Sequence, residues 1–67
     1  MEEMIAEAIE DSGAQGASLV EIIKYVSYAD IEYFEEHEER LKTAIDKMVE
    51  ERKIILRRSR FFMTYHD

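Results

Sequence analysis

Glu39-Arg-Leu-Lys-Thr-Ala-Ile-Asp-Lys-Met-Val-Glu-Glu-Arg-Lys53, continued by Ile54-Ile-Leu-Arg-Arg-Ser-Arg-Phe-Phe-Met-Thr-Tyr65, is the stretch whose reading decides the fold. Its first half places Leu41, Ala44, Ile45, Met48 and Val49 at helical spacing. Its second half is a compact apolar and aromatic run broken by Arg58-Ser59-Arg60. A change of period from 3.6 to 2 predicts a helix feeding a β-hairpin. Preceded by two shorter helices, this reads as a winged helix-turn-helix: mainly α, three helices followed by a two-stranded wing.

The helix is expected to run from about Glu36 or Glu38 to Lys53, with Glu39, Arg40, Lys42, Thr43, Asp46, Lys47, Glu50 and Glu51 facing outward. Lys42 has Glu39 three residues before it and Asp46 four after, pairs worth ~0.2–0.5 kcal/mol each. In the hairpin, Ile54, Ile55 and Leu56 form one strand, Arg57 to Arg60 the turn region, and Phe61 to Tyr65 the return. Strand alternation puts Phe61 and Met63 on one face and Phe62 and Thr64 on the other. A large aromatic, Phe62, is then left partly exposed beside Arg57, Arg58 and Arg60. Such a feature is a nucleic-acid contact, a protein anchor or a solubilised hairpin tip.

Upstream, Glu2 to Ser12 reads as helix 1, with Met4, Ile5, Ala8 and Ile9 on one face and Gly13 as a C-terminal stop. Ala14 to Ala17 is a loop with little that packs, and a short third strand near Gly16 to Ser18 can pair with the hairpin. Ser18-Leu19-Val20-Glu21 fits a capping box, so helix 2 begins at Leu19. Its stripe is Leu19, Ile22, Ile23 and Val26, and it ends near Ser27 or Tyr28. Residues 28–35 are ambiguous between a loop and a new helix capped by Asp30, with Ile31 and Phe34 inward. Tyr25, Tyr28, Tyr33 and Phe34 are expected at the core and its edge rather than as a stacking platform for bases, because Asp30, Glu32, Glu35 and Glu36 surround them.

Sixty-seven residues make one domain, and this one starts and stops where its fold does, as a domain cut from a longer protein would. No cysteine excludes a disulfide framework, and no apolar run reaches the ~20 residues that span a bilayer. No membrane association is expected. The net charge of −7 hides an asymmetry: residues 1–51 carry fifteen Asp/Glu against four Lys/Arg, whereas residues 52–67 carry five Lys/Arg against Asp67 alone. The hairpin is a basic feature on an acidic body.

Glu35-Glu36-His37-Glu38-Glu39 is not read as a metal site, since His37 lacks a second histidine at ligand spacing and His66 lies by the terminus. It is read instead as an acidic first turn of helix 3. There is no Gly-rich phosphate loop and no nucleophile motif. No catalysis, cofactor, metal or small-molecule substrate is expected.

Glu3-Met4-Ile5-Ala6-Glu7-Ala8-Ile9, Gly16-Ala17-Ser18-Leu19, Arg40-Leu41-Lys42, Met48-Val49 and Ile54-Ile55 together resemble the globular domain of linker histones over nearly the whole chain. That family is a three-helix winged-helix fold of nuclear chromatin proteins that binds nucleosomal DNA through helix 3, the wing and a second basic surface. The resemblance implies Arg40, Lys42 and Lys47 as helix-3 contacts and Arg57, Arg58 and Arg60 as wing contacts. The chain departs from the family pattern at Asp46 in mid-helix 3, at Arg52-Lys53 where the family turns with glycine, and in lacking a Gly-rich wing loop.

The acidic body favours a non-catalytic interaction module of a chromatin- or transcription-associated protein, docking on a protein partner in a nuclear assembly. The alternative is DNA or nucleosome binding through the basic hairpin and helix 3. Under either reading the chain works in the nucleus, or in the cytoplasm of a prokaryote.

Overall fold

The computed structural model describes residues 1–64. Among them the chain forms α1 (Glu2–Asp11), a short 3₁₀ turn (Gly13–Gln15), β1 (Ala17–Ser18), α2 (Leu19–Ala29), α3 (Ile31–Glu50), β2 (Ile54–Arg57) and β3 (Arg60–Met63). The strands make an antiparallel sheet in the order β1-β3-β2. Ala17 stands opposite Phe61, and Ile54 opposite Met63. This is the winged helix that the change of period predicts, with its short third strand in place. The expected extension of the return strand to Tyr65 and the position of His66 lie outside the described residues.

Each element contributes one apolar face to a single core. Ile5, Ala8 and Ile9 come from α1, Ile22 and Val26 from α2, Leu41, Ile45 and Met48 from α3, and Ile54, Phe61 and Met63 from the wing. Burying each of the larger of these side chains stabilises the fold by about 1.5–3 kcal/mol. Ala17, expected in a loop with little to pack, is instead completely buried. Pairing with Phe61 draws it inward.

Several expected core positions are exposed. Leu19 is 38% and Ile31 54% accessible, and Tyr28 at 96% is not a core-edge residue. Leu19 and Ile31 open α2 and α3, and Cα–Cβ bonds tilt toward a helix N-terminus, so first-turn side chains project beyond the packed body. Tyr28 falls in the last turn of α2, on its solvent side.

The ambiguous segment resolves into helix. Asp30 is extended and its Oδ1 accepts from the Tyr33 N–H at 3.0 Å, which starts α3 at Ile31. The helix breaks its dihedrals at His37 (φ −118°, ψ 18°), and its second part begins at Glu38, one of the two expected starts of helix 3. The His37 ring stacks on Tyr33 with centroids 4.2 Å apart, and its Nδ1 lies 2.9 Å from the Tyr33 carbonyl oxygen. Lys42 makes neither expected intrahelical pair; the salt bridges among the described residues are long-range or local to Lys53.

α3 stops at Glu50, earlier than the expected Lys53, because Arg52 turns left-handed (φ 61°). The Lys53 N–H donates to the Met48 carbonyl at 2.9 Å and the Arg52 N–H to the Val49 carbonyl at 3.0 Å, the two bonds of a Schellman cap. Arginine thus occupies the position where glycine is free of strain. Arg52→Gly is expected to raise stability by ~1 kcal/mol, read as a higher midpoint in urea. An unchanged or lower midpoint would show that the cap carries no strain.

Candidate nucleic-acid interface

The wing closes through a two-residue turn, tighter than the four-residue region expected, because Arg57 pairs with Arg60 across the ladder. Arg58 (φ 54°) and Ser59 (φ 64°) form its tip, both left-handed. This backbone is that of the hairpin turn usually built from Asn-Gly, whose twist matches that of the flanking strands. The turn therefore closes the wing without the glycine-rich loop, at a cost in local strain. Its effect is to place the exposed Arg57 and Arg58 in succession at the end of the hairpin.

The third wing arginine is engaged by the body of the domain. Arg60 Nε donates to the Gln15 carbonyl at 2.8 Å, and Arg60 Nη2 donates to the Gly16 carbonyl at 3.0 Å and to Glu21 Oε1 at 2.8 Å. It clamps the wing to the segment that opens α2. Lys53 is held similarly at the wing's base, with Nζ 2.9 Å from Glu2 Oε1 and 3.4 Å from Glu51 Oε1.

Phe62 is half-buried and its ring lies over Gly16, where an added Cβ would stand 2.7 Å from the ring carbon Cε2. It serves packing more than display. Phe62 is thus partly exposed, as expected, but the most exposed apolar side chain of the wing is Leu56, 56% accessible on β2 at the edge of the sheet.

The helix-3 cations are divided. Arg40 and Lys47 lie on one flank of α3, where they line an open groove of about 700 Å³ together with Glu2, Glu3 and Glu39. At 100° per residue, Lys42 is turned about 140–160° away from them. The structure thus brings Arg57 with Arg58, and Arg40 with Lys47, but unites neither pair with Lys42. Arg52, absent from the sequence-based set, is exposed and has no salt bridge among the described residues. Its signal is its place in the same basic run of residues 52–60.

The sequence profile of the linker histone H1 and H5 family matches residues 1–60, from α1 through the first residue of β3. The chain belongs to the linker histone H1 and H5 family. No curated protein and no solved structure was found to match it. Linker histones are nuclear chromatin proteins with a winged-helix globular domain, and the three helices and wing of this member conform to that fold.

In this linker histone domain the pair Glu21–Arg60 ties the start of α2 to the wing. The Ser18 hydroxyl accepts from the Glu21 N–H at 3.2 Å, as the capping box predicts, and donates to Glu21 Oε1, also at 3.2 Å. The carboxylate therefore reaches back to the cap and across to the wing. Partial desolvation pushes the Glu21 carboxyl up, but hydrogen bonds from Arg60 and Ser18 outweigh it and hold the group below the usual carboxylate range. A lowered carboxyl adds stability above its unfolded-state value and loses it as pH falls through the folded one. The melting temperature of Glu21→Gln should therefore lie below that of the natural domain at neutral pH, with the gap closing below about pH 4. A gap that persists at pH ~2 would assign the loss to packing.

Proposed function

We propose that this linker histone domain binds duplex DNA in nuclear chromatin through its wing tip, without catalysis. The observation that carries the reading is the pair Arg57 and Arg58, exposed, adjacent and without a salt bridge among the described residues. Guanidinium groups so placed fit phosphate oxygens. Arg60 supports the contact indirectly by fixing the wing on the body. Family membership agrees with DNA as the partner.

The acidic body sets the form of the binding. α1 carries Glu2, Glu3, Glu7, Glu10 and Asp11 with no cation, so a duplex is repelled from that side and approaches the wing end first. Two phosphate contacts give a salt slope of only about −2, far from the steep dependence of an extensive interface. The domain is thus expected to bind weakly alone and to act where chromatin already holds DNA close. A gel-shift titration against a duplex of about 20 base pairs, from ~20 to ~150 mM salt, tests this: binding that weakens with the shallow slope supports it. Absence of binding at the lowest salt overturns it.

Leu56 favours a second reading, docking on a protein partner. It is exposed on β2, whose outer edge has no neighbouring strand among the described residues. Under that reading chromatin association in cells survives Arg57→Ala with Arg58→Ala but is abolished in Leu56→Asp. Under the DNA reading the dependence is the reverse.

A further inference from the structure

We propose that Ser59 is a phosphorylation site whose modification switches off the wing's contact with DNA. The inference rests on the DNA-binding reading above and adds its regulation. Ser59 is exposed at the wing tip, and its hydroxyl takes part in none of the side-chain hydrogen bonds among the described residues. Arg57 and Arg58 precede it directly and Arg60 follows. A serine just C-terminal to paired arginines offers a kinase with an acidic substrate cleft two guanidinium anchors and an adjacent acceptor.

A kinase takes its substrate as an extended segment, so the turn has to open. Both tip residues are left-handed without being glycine, and relaxing to an extended backbone relieves that strain. The tip also lies beyond the buried Ile54, Phe61 and Met63, so it can open while the base of the wing stays packed. In the transfer, the Ser59 Oγ attacks the γ-phosphorus of ATP. The new O–P bond forms as the bond to the ADP oxygen breaks, and the hydroxyl proton passes to the kinase's base.

The consequence is decided by charge. Of the five cations in residues 52–60, Lys53 and Arg60 are held by Glu2, Glu51 and Glu21, which leaves Arg52, Arg57 and Arg58 for a ligand. Phosphate adds about −1.5 to −2 at pH 7 beside two of those three. The phosphate oxygens are also strong acceptors for the Arg57 and Arg58 guanidinium groups, which would otherwise meet DNA. In a domain that already carries −7, the remaining positive field at the tip is nearly cancelled.

The test incubates the folded domain with an arginine-directed serine kinase and Mg-ATP, maps the site by mass spectrometry, and titrates both forms against duplex DNA. Incorporation at Ser59, its absence in Ser59→Ala, and an affinity lower by about tenfold or more with a salt slope nearer zero support the proposal. Ser59→Ala should bind DNA as the unmodified domain does. No incorporation into the folded domain, while a peptide of residues 54–63 is modified, overturns it, as does unchanged affinity after modification. If the unmodified domain binds no DNA at low salt, the DNA-binding reading falls and the switch falls with it. The unmodified arm reports that failure separately.

Discussion

Gly16→Ala is expected to destabilise this domain more than any other single methyl addition, by about 3–5 kcal/mol. Two independent costs meet there. The backbone at Gly16 (φ 73°, ψ −175°) is a conformation essentially reserved to glycine, worth ~1–3 kcal/mol to force on another residue. A Cβ would also stand 2.6 Å from the Phe61 carbonyl oxygen, and that strand is fixed by its pairing with Ala17. The Phe62 ring can shift, but the carbonyl cannot without breaking the β1–β3 ladder. For a chain of this size the melting temperature should fall by more than about 12 °C. Gly13→Ala is the control: Gly13 is also left-handed (φ 74°), yet nothing lies within 4 Å of an added Cβ. It should cost only ~1 kcal/mol. Equal losses in the two variants would remove the close approach to β3 as the cause.

Charge reversal at the wing tip, Arg57→Glu with Arg58→Glu, is expected to abolish DNA binding at ~50 mM salt, and the double alanine variant to weaken it roughly 10- to 100-fold. Arg57 and Arg58 are the exposed arginines at the end of the wing, and deleting either guanidinium–phosphate interaction should lower the magnitude of the salt slope by about 0.9. Arg40→Ala with Lys47→Ala is expected to change affinity less than about threefold, because Glu2, Glu3 and Glu39 line the same groove and leave it no net positive charge. Thermal melts should be unaltered in both pairs, since none of the four side chains is buried. A larger loss from the α3 pair than from the wing pair would move the interface to helix 3. Arg60→Ala is unsuitable as a binding probe, because its three hydrogen bonds to Gln15, Gly16 and Glu21 make it part of the fold.

Much of the architecture is legible in the sequence because it rests on local chemistry. The Ser18 cap, the stop at Gly13 and the inward faces of α1, α2 and the second part of α3 follow from neighbours three or four residues apart. Asp30 gives a usable start signal, yet the tyrosine-rich run beside it has no glycine or proline to distinguish helix from loop. Sequence places the end of α3 too late because Arg52 takes a glycine conformation without being glycine. For the same reason the turn reads as four residues long, when a left-handed Arg58-Ser59 closes it in two.

The sequence by itself determined the winged-helix class, the basic hairpin on an acidic body and the family, because periodicity, capping and composition are properties of neighbouring residues. Only the tertiary structure decided which of the basic residues remain available. Arg60 and Glu21 lie 39 positions apart and Lys53 and Glu2 lie 51 apart, so no local pattern foretells that these cations are engaged while Arg57 and Arg58 are not. The sheet register makes that choice: it places Arg60 opposite Ser18, within reach of the carboxylate that opens α2, and leaves the turn beyond it in solvent.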